Sequence, residues 1–436
     1  MGKAKDALTV WRFIHSVRAL RGLRSWDRDT LLAYQASCVR AVVAHAARQV
    51  PYYTRLFAEV KLDAEAIRTP ADLTRVPIST RRSLQALAPT ALVARGVNPN
   101  RLVNLLSSGS TGEPFTTRRS RLENLLLLAF RMRVYQTLGA KLLDRWAGVR
   151  WLGPEAGEIA ADRVLVPRRG RTISCLAPAE RQAAELRRAH FEILGGLPAS
   201  LAEAAEFLTE KDRVTMQPRI VVTGGETSTT ELRKNLSEVF RAPVYDIYGT
   251  NEFIATAWQC PETGLYHVSD PTVVLEVVDE KGESVPPGEE GEVVVTGLHA
   301  FAMPFIRYRL DDLAVRGETP CPCGAPWSTL ARILGRVSER FVLPDGRKIH
   351  PYALQEAFMR DAPWLQGFQI VQETLGLVTL RLRPLRGQSA PADSVARAIS
   401  SIRQVLGQGV EVRAELVDEL PRGGRGKALH YVCLVR

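Results

Sequence analysis

The sequence predicts an α/β protein: a large N-terminal domain of mixed β-sheets and helices, followed by a small α+β domain. Three observations predict it. The chain has 436 residues, more than one core serves at roughly 100–200 residues per domain. From Leu102 onward, short β-type apolar runs alternate with helical stretches, the pattern of an α/β body. Around residues 334–340 that body gives way to a last segment with its own strand and helix candidates. The expected domains are therefore residues 1–334 and 335–436.

In chain order, residues 1–90 read as a helical lead-in. "LAYQASCVRAVVAHAARQV" places apolar residues at steps of three and four, and "PYY" at Pro51 ends the run. "LVNLL" then reads as a strand, followed by a hydroxyl-rich loop and a helix over 121–138. "RIVVTGG", "PVYDIYG" and "GEVVVTG" are further strands, with a helix over 231–240 between the first two. In the last segment "FQIVQET", "VTLRLRP" and "VEVRAELV" are strands, and residues 393–406 form a helix. No internal repeat or low-complexity block interrupts the pattern.

Composition narrows the class without deciding it. At 45% hydrophobic and 24% charged residues the chain has the make-up of a globular protein. Its net charge of +11 is scattered in short clusters such as "VPRRGR", with no aromatic RNA-binding signature or helix-turn-helix beside them, so a nucleic-acid partner is not expected. The longest apolar stretch before a helix end, "LLLLAF", falls far short of the ~20 residues that span a bilayer, and no membrane partner is expected. The N-terminal "MGKAKDALTVWRFIHSVRALRG" lacks the apolar core and cleavage site of a signal peptide. Six cysteines in so long a chain do not make a disulfide framework. The expected compartment is the cytoplasm.

The stretch "LLSSGSTGEPF" carries the first chemical signal. Glycines let a backbone approach phosphate closely, while hydroxyls and free amides donate to its oxygens. The stretch lacks the Gly-Lys-Ser/Thr of a Walker loop and the Gly-x-Ser-x-Gly of a nucleophile elbow. By itself such a loop is more often a plain linker.

Other pieces follow in a fixed order. "SSGSTGEP" resembles the phosphate loop of the ANL superfamily of adenylate-forming enzymes, and "VYDIYGTNE" its aromatic-Gly-x-Thr-Glu motif. "FIRYRLDDLA" is similar to the Tyr-Arg-x-Gly-Asp motif, "LGRVSER" to the hinge motif, and "PRGGRGKAL" to the C-terminal Gly-Lys motif. "VVAHAARQVPYYTRLF" and "CPCG" narrow the resemblance to the phenylacetate-CoA ligase/CapK-like branch, over nearly the whole chain.

That resemblance implies an adenylate-forming N-terminal domain, a mobile C-terminal cap and a two-step reaction. A small-molecule carboxylate, aromatic in the named branch, attacks the α-phosphate of ATP and releases pyrophosphate; a nucleophile, typically the thiol of coenzyme A, then takes the acyl group. It assigns Ser107, Ser108, Gly109, Ser110, Thr111 and Gly112 to the β- and γ-phosphates, with Thr111 close to the chemistry. Gly225, Glu226, Asp246, Tyr248, Gly249 and Asn251 fall to the nucleotide pocket. Glu252 would bind Mg²⁺, a hard cation that takes oxygen ligands. Asp312 would accept from the ribose hydroxyls, and Arg336 would either reach the nucleotide from the hinge or stand as a solvated arginine between the domains. Lys427 is the implied catalytic cation, because an ammonium near the attacked phosphorus stabilises the charge of the transition state; outside this pattern it would read as a surface lysine in a glycine-rich tail. The branch also implies a homodimer.

The pattern has three departures. Asn251 stands where the family usually has Thr, Asp311 replaces a usual Gly before Asp312, and Ser338 with Glu339 occupies the hinge. These motivate a competing reading as a nucleotide-binding scaffold without catalysis; Glu252, Asp312 and Lys427 together speak against it. A further alternative keeps the adenylate but transfers the acyl group to an amine or hydroxyl.

Cys260, Cys321 and Cys323 fall near turn residues, and His267 lies seven residues after Cys260. Three thiolates and an imidazole make a closed tetrahedral Zn²⁺ set, although Cys-x-Cys is tighter than the usual spacing. The alternative is reduced thiols in loops. Similar knuckles occur in the branch named above, which implies a structural Zn²⁺. Cys38, Cys175 and Cys433 sit in apolar runs and are expected in the core, and the helix over 121–138 could present Phe130 or Tyr135 to an acyl pocket or simply bury them.

Overall fold

The computed structural model describes residues 26–106, 115–141, 143–152, 170–359, 362–423 and 426–435. Its helices are α1 (Arg28–Gln49), α2 (Pro51–Glu59), α3 (Arg81–Gln85), α4 (Pro89–Leu92), α5 (Arg121–Thr137), α6 (Ala179–Arg187), α7 (Pro198–Ala205), α8 (Glu210–Thr215), α9 (Thr230–Phe240), α10 (Tyr352–Met359) and α11 (Ala392–Leu406). The strands are β1 (Val103–Leu106), β2 (Thr116–Arg119), β3 (Trp146–Arg150), β4 (Gly170–Ser174), β5 (Ile193–Gly196), β6 (Ile220–Gly224), β7 (Val244–Tyr248), β8 (Ala257–Gln259), β9 (Tyr266–Val268), β10 (Val273–Val278), β11 (Glu290–Gly297), β12 (Tyr308–Arg316), β13 (Thr329–Arg336), β14 (Phe341–Val342), β15 (Lys348–Ile349), β16 (Leu365–Thr374), β17 (Leu377–Pro384), β18 (Glu411–Leu416) and β19 (Tyr431–Cys433). The chain forms two compact units. The first comprises Met1–Asp144, Gly153–Arg169 and Tyr245–Ile333, and the second Arg145–Leu152, Gly170–Val244 and Leu334–Arg436.

In the first unit, α1 starts where the Asp27 side chain accepts from the backbone N–H of Thr30 at 2.8 Å. It buries Leu31, Gln35, Val39, Val42, Val43 and Ala46, one stripe at helical spacing. The stripe packs on Ile67, Leu73, Val76, Val274, Leu298 and Ile306. Each fully buried Val or Leu stabilises that contact by roughly 1.5–3 kcal/mol relative to exposure. Pro51 stops α1, since Val50 before it is extended, and opens α2 from its first position. Strands β7 to β13 lie in the order β10-β11-β12-β13-β9-β8-β7.

One difference from the sequence reading bears on the phosphate loop. A strand, loop and helix are expected in direct succession, but β1 pairs antiparallel with a second strand, β2, in the register Leu106↔Thr116 to Val103↔Arg119. Only then does Ser120 cap α5, accepting from the Glu123 N–H at 3.2 Å while Glu123 accepts from the Ser120 N–H at 2.7 Å. The sequence "TTRR" hides its strand because both alternate faces are polar.

In the second unit, β6, β5, β3 and β4 run parallel in that order, and α6, α7 and α9 contribute to their shared apolar core. Residues 334–436 contribute a mixed four-stranded sheet, β18-β17-β16-β19. Against it, α11 buries Ser394, Ala398, Ile402 and Leu406 at steps of four and ends at Gly407, whose φ of +82° a side chain would resist. Mixed α/β architecture with a smaller C-terminal part is as the sequence predicts. Among the described residues no helix is long and apolar enough to cross a membrane.

Candidate active site

The implied phosphate ligands Ser107, Ser108, Gly109, Ser110, Thr111 and Gly112 lie outside the described residues. Their flanks are described, and both are tied to one residue. The Asn251 Nδ2 donates to the carbonyl of Leu106, the last residue of β1, at 2.5 Å. From β2, the guanidinium of Arg119 donates to the backbone carbonyl of Asn251 and, at 3.3 Å, to the Oδ1 of Asn124 on α5. Arg119 is fully buried. A guanidinium withdrawn from water must be satisfied by such acceptors, so its position is specified tightly. The change from Thr to Asn at 251 thus keeps a donor there and lengthens its reach.

Asn251 belongs to a turn after β7. Gly249 is required in it, because a Cβ there would lie 2.2 Å from the carbonyl oxygen of Ile254. The turn closes with Ile254 N–H donating to Thr250 O at 2.8 Å, and Glu252 within it is buried. On β7 itself, Tyr248 donates its hydroxyl to Asp312 at 2.5 Å, while Asp246 accepts from the Tyr266 hydroxyl at 2.9 Å. Asp246 is buried in that second pair.

A bulge aims Asp312. Glu292 faces Leu313 and Val294 faces Arg309, so Leu310, Asp311 and Asp312 of β12 oppose the single residue Val293 of β11. The excess is absorbed at Asp311, whose φ of +59° lies in the left-handed region. A glycine is at home in that conformation, which is the physical reason for the family's usual Gly; Asp is among the side chains that tolerate it. The replacement therefore leaves the bulge intact.

The second unit holds the remaining candidates. Gly225 follows β6 with φ +86°, and Glu226 beside it is half-buried. Its carboxylate accepts from the backbone N–H of Ala428 at 2.7 Å and of Ala199 at 3.4 Å. Burial raises its pKa; those two amides and the cations Lys427 and Arg422 act in the opposite direction. Glu226 and Lys427 are thus neighbours in the fold, joined by Ala428. Arg336, at the end of β13, donates its backbone N–H to Glu339 at 2.9 Å.

The cysteine and histidine candidates converge. One ligand atom from each of Cys260, His267, Cys321 and Cys323 falls within 4.8 Å of all the others, against about 3.8 Å between sulfurs bound tetrahedrally at ~2.3 Å to zinc. Cys260 follows β8 in a turn closed by Gly264 N–H to Cys260 O at 3.1 Å, and Cys321 lies in a turn closed by Gly324 N–H to Cys321 O at 3.0 Å. His267 on β9 points its Nε2 to Cys323 Sγ at 3.4 Å. Burial, then the charge of Arg133, lowers the His267 pKa to about 4, leaving the neutral imidazole. Its Nδ1 is buried and has no hydrogen-bond partner among the described residues. Three soft thiols, a neutral imidazole and converging turns fit a closed Zn²⁺ site.

Of the other cysteines, Cys175 is buried and Cys38 and Cys433 are half-buried. Phe130 stacks on His299 with centroids 5.4 Å apart, and Tyr135 packs beside Leu125, Leu128 and Met132. Arg119 and Tyr266 were not candidates in the sequence. Nothing local distinguishes a buried arginine in "TTRRS" from a solvated one, and only the pairing of β1 with β2 brings it under Asn251.

Comparison with known proteins gives the family and the fold. The profile of the family described as "AMP-binding enzyme" matches residues 33–303, and that described as "CapK C-terminal domain" matches 341–432. The chain belongs to the AMP-binding enzyme family. Within it, the chain is similar to the phenylacetate-coenzyme A ligase of Thermus thermophilus, 25% identical over 93% of this chain and 97% of that protein. It is likewise similar to the phenylacetate-coenzyme A ligase of Pseudomonas putida, 24% identical over 92% and 94%. Among solved structures, 2-hydroxyisobutyryl-CoA ligase in its postadenylation state shares the fold with a TM-score of 0.76, at 19% identity over 94% of this chain and 91% of that one.

Proposed function

We propose that this protein is an AMP-forming acyl ligase that activates a small carboxylate, most simply an aromatic one, and transfers the acyl group to coenzyme A. The observation that carries the reading is Asp312, raised from β12 by the bulge and held by Tyr248 within the fold of the AMP-binding family. A buried carboxylate presented this way is an acceptor for paired hydroxyls such as those of a ribose.

In the first step a carboxylate oxygen attacks the α-phosphorus of ATP, the bond from that phosphorus to the bridging oxygen breaks, and pyrophosphate leaves with the electron pair. Residues 107–112 supply amide and hydroxyl donors to the outer phosphates. Glu252 is the oxygen ligand for Mg²⁺, which offsets phosphate charge when bound. Lys427 holds its ammonium against the charge that develops on the α-phosphate oxygens. In the second step a thiol sulfur attacks the acyl carbon, the carbon–oxygen bond to AMP breaks, and the thiol proton is lost. Residues 335–436 are the cap that carries Lys427, and Cys260, His267, Cys321 and Cys323 hold a structural Zn²⁺ apart from the reaction.

The test is pyrophosphate release from ATP and Mg²⁺ over a panel of aromatic and short aliphatic carboxylates, with and without coenzyme A. Carboxylate-dependent release that falls at least 100-fold in Lys427→Ala is expected, about 3 kcal/mol of transition-state stabilisation. Release that persists undiminished in the variant would remove Lys427 from the chemistry. Acyl-adenylate formation with hydroxylamine or alcohol capture, but no thioester, would favour the amine or hydroxyl acceptor.

A further inference from the structure

We infer that Arg422 is a positioning residue for Lys427, acting in the adenylation step only; this rests on the reading of Lys427 given above. The loop that carries Lys427 is closed on itself. Gly423 N–H donates to Lys427 O at 2.8 Å, Gly426 N–H to Gly423 O at 3.2 Å, and Arg422 bridges to Ala428 across the turn. Arg422 then fastens the closed loop to α7. Its Nη1 donates to the Gly426 carbonyl at 2.7 Å and to Ser200 Oγ at 3.3 Å, and its Nη2 pairs with the Glu203 carboxylate.

One planar fork therefore holds the residue before Lys427 and two side chains of a helix. Lysine, a single point donor on a flexible stem, does not reproduce it. Two further contacts fix the loop. Ala428 N–H donates to the half-buried Glu226, and Gly426 lies so close to its floor that a Cβ would meet Leu176 Cδ2 at 2.8 Å and Cys175 Sγ at 3.1 Å. Lys427 is thus flanked by anchored residues on both sides. The orientation of its side chain depends on them, since a displacement of about 1 Å in a catalytic group costs on the order of 100-fold in rate.

Such an anchor matters for one half-reaction. A cation aimed at phosphorus stabilises charge built up as the phosphorus–oxygen bond breaks. Thiolysis of the finished acyl-adenylate breaks a carbon–oxygen bond instead. Loss of the anchor should slow the first step and spare the second, whereas a residue needed only for folding would weaken both.

The experiment compares wild type, Arg422→Ala, Arg422→Lys, Glu203→Gln and Lys427→Ala in two assays. One is carboxylate-dependent exchange of pyrophosphate into ATP; the other is thioester formation from the synthetic acyl-adenylate and coenzyme A without ATP. Expected is a 10- to 100-fold fall in exchange kcat for Arg422→Ala, on the order set by misplacement of a catalytic group, with the carboxylate KM unchanged and acyl transfer within about twofold. Arg422→Lys is expected to recover little, and Glu203→Gln to fall in the same assay only; should Arg422→Ala not fold, Glu203→Gln decides. Equal losses in both assays, or no loss in exchange while Lys427→Ala is inactive, would overturn the role of Arg422 alone. A silent wild type would overturn the activity reading and this inference with it, whereas full exchange in Lys427→Ala would leave the activity standing and overturn the role of Lys427 and, with it, this inference.

Discussion

Asp311 shows how much one backbone angle decides. In an ordinary strand Ala is more stable than Gly by roughly 0.5–1 kcal/mol, because Gly has more conformational freedom to lose. At φ +59° the order inverts, since a Cβ in the left-handed region costs roughly 1–2 kcal/mol. Asp311→Gly is therefore expected to be more stable than Asp311→Ala by about 1 kcal/mol, read from denaturant midpoints at constant slope. The reverse order would mean that the bulge does not hold that angle. Sequence pattern located Asp311 as a departure but could not say whether it was damage, because the answer lies in the opposing strand. Asn251 is similar: its residue type was visible, whereas its bond to Leu106 and the hold of Arg119 on its carbonyl depend on a strand that no periodicity announced.

Elements were legible where one face is apolar and the other is not. The stripes of α1 and α11 and the runs of β6, β7, β11, β16 and β17 follow directly from spacing, and the turn residues bounding them from Gly and Pro. The cysteine cluster was half-legible. Spacing offered four donors, but only the placement of β9 beside β8 and β13 carries His267 to thiols from two separate turns. Metal at that point would clip the turn after β8 to the one before β13, so its removal should loosen both. Protein purified without chelator is expected to carry one equivalent of zinc by elemental analysis. Cys323→Ser should lose it and melt on the order of 5 °C lower, a few kcal/mol spread over a unit of this size. Metal-free wild type with an unchanged melting curve would leave four reduced side chains and no site.

Across the whole first unit, the tie between the start of α1 and the strands is an acid held against its preference. Asp270 is buried, accepts from Ser328 N–H at 2.6 Å and pairs with Arg28 at 3.4 Å, while Gln35 of α1 donates to its backbone carbonyl at 3.0 Å. Burial raises its pKa from 3.8 to about 6, against the opposing pull of Ser328 and Arg28. The sign follows from where the proton is held. A folded-state pKa above the unfolded one means that the protonated carboxyl contributes stability present in full below about pH 3.8 and lost as pH rises through about 6. At about 1.4 kcal/mol for each pH unit between those two values, the loss is up to about 3 kcal/mol. Asp270→Asn keeps an acceptor for the Ser328 amide and removes the ionisation, and half-exposed Arg28 can return to water. The melting temperature of the variant, relative to wild type, should therefore rise by on the order of 5 °C between pH 5 and pH 7.5. A difference that stays flat across that window would show that Asp270 is ionised throughout, and that the pair with Arg28 outweighs its burial.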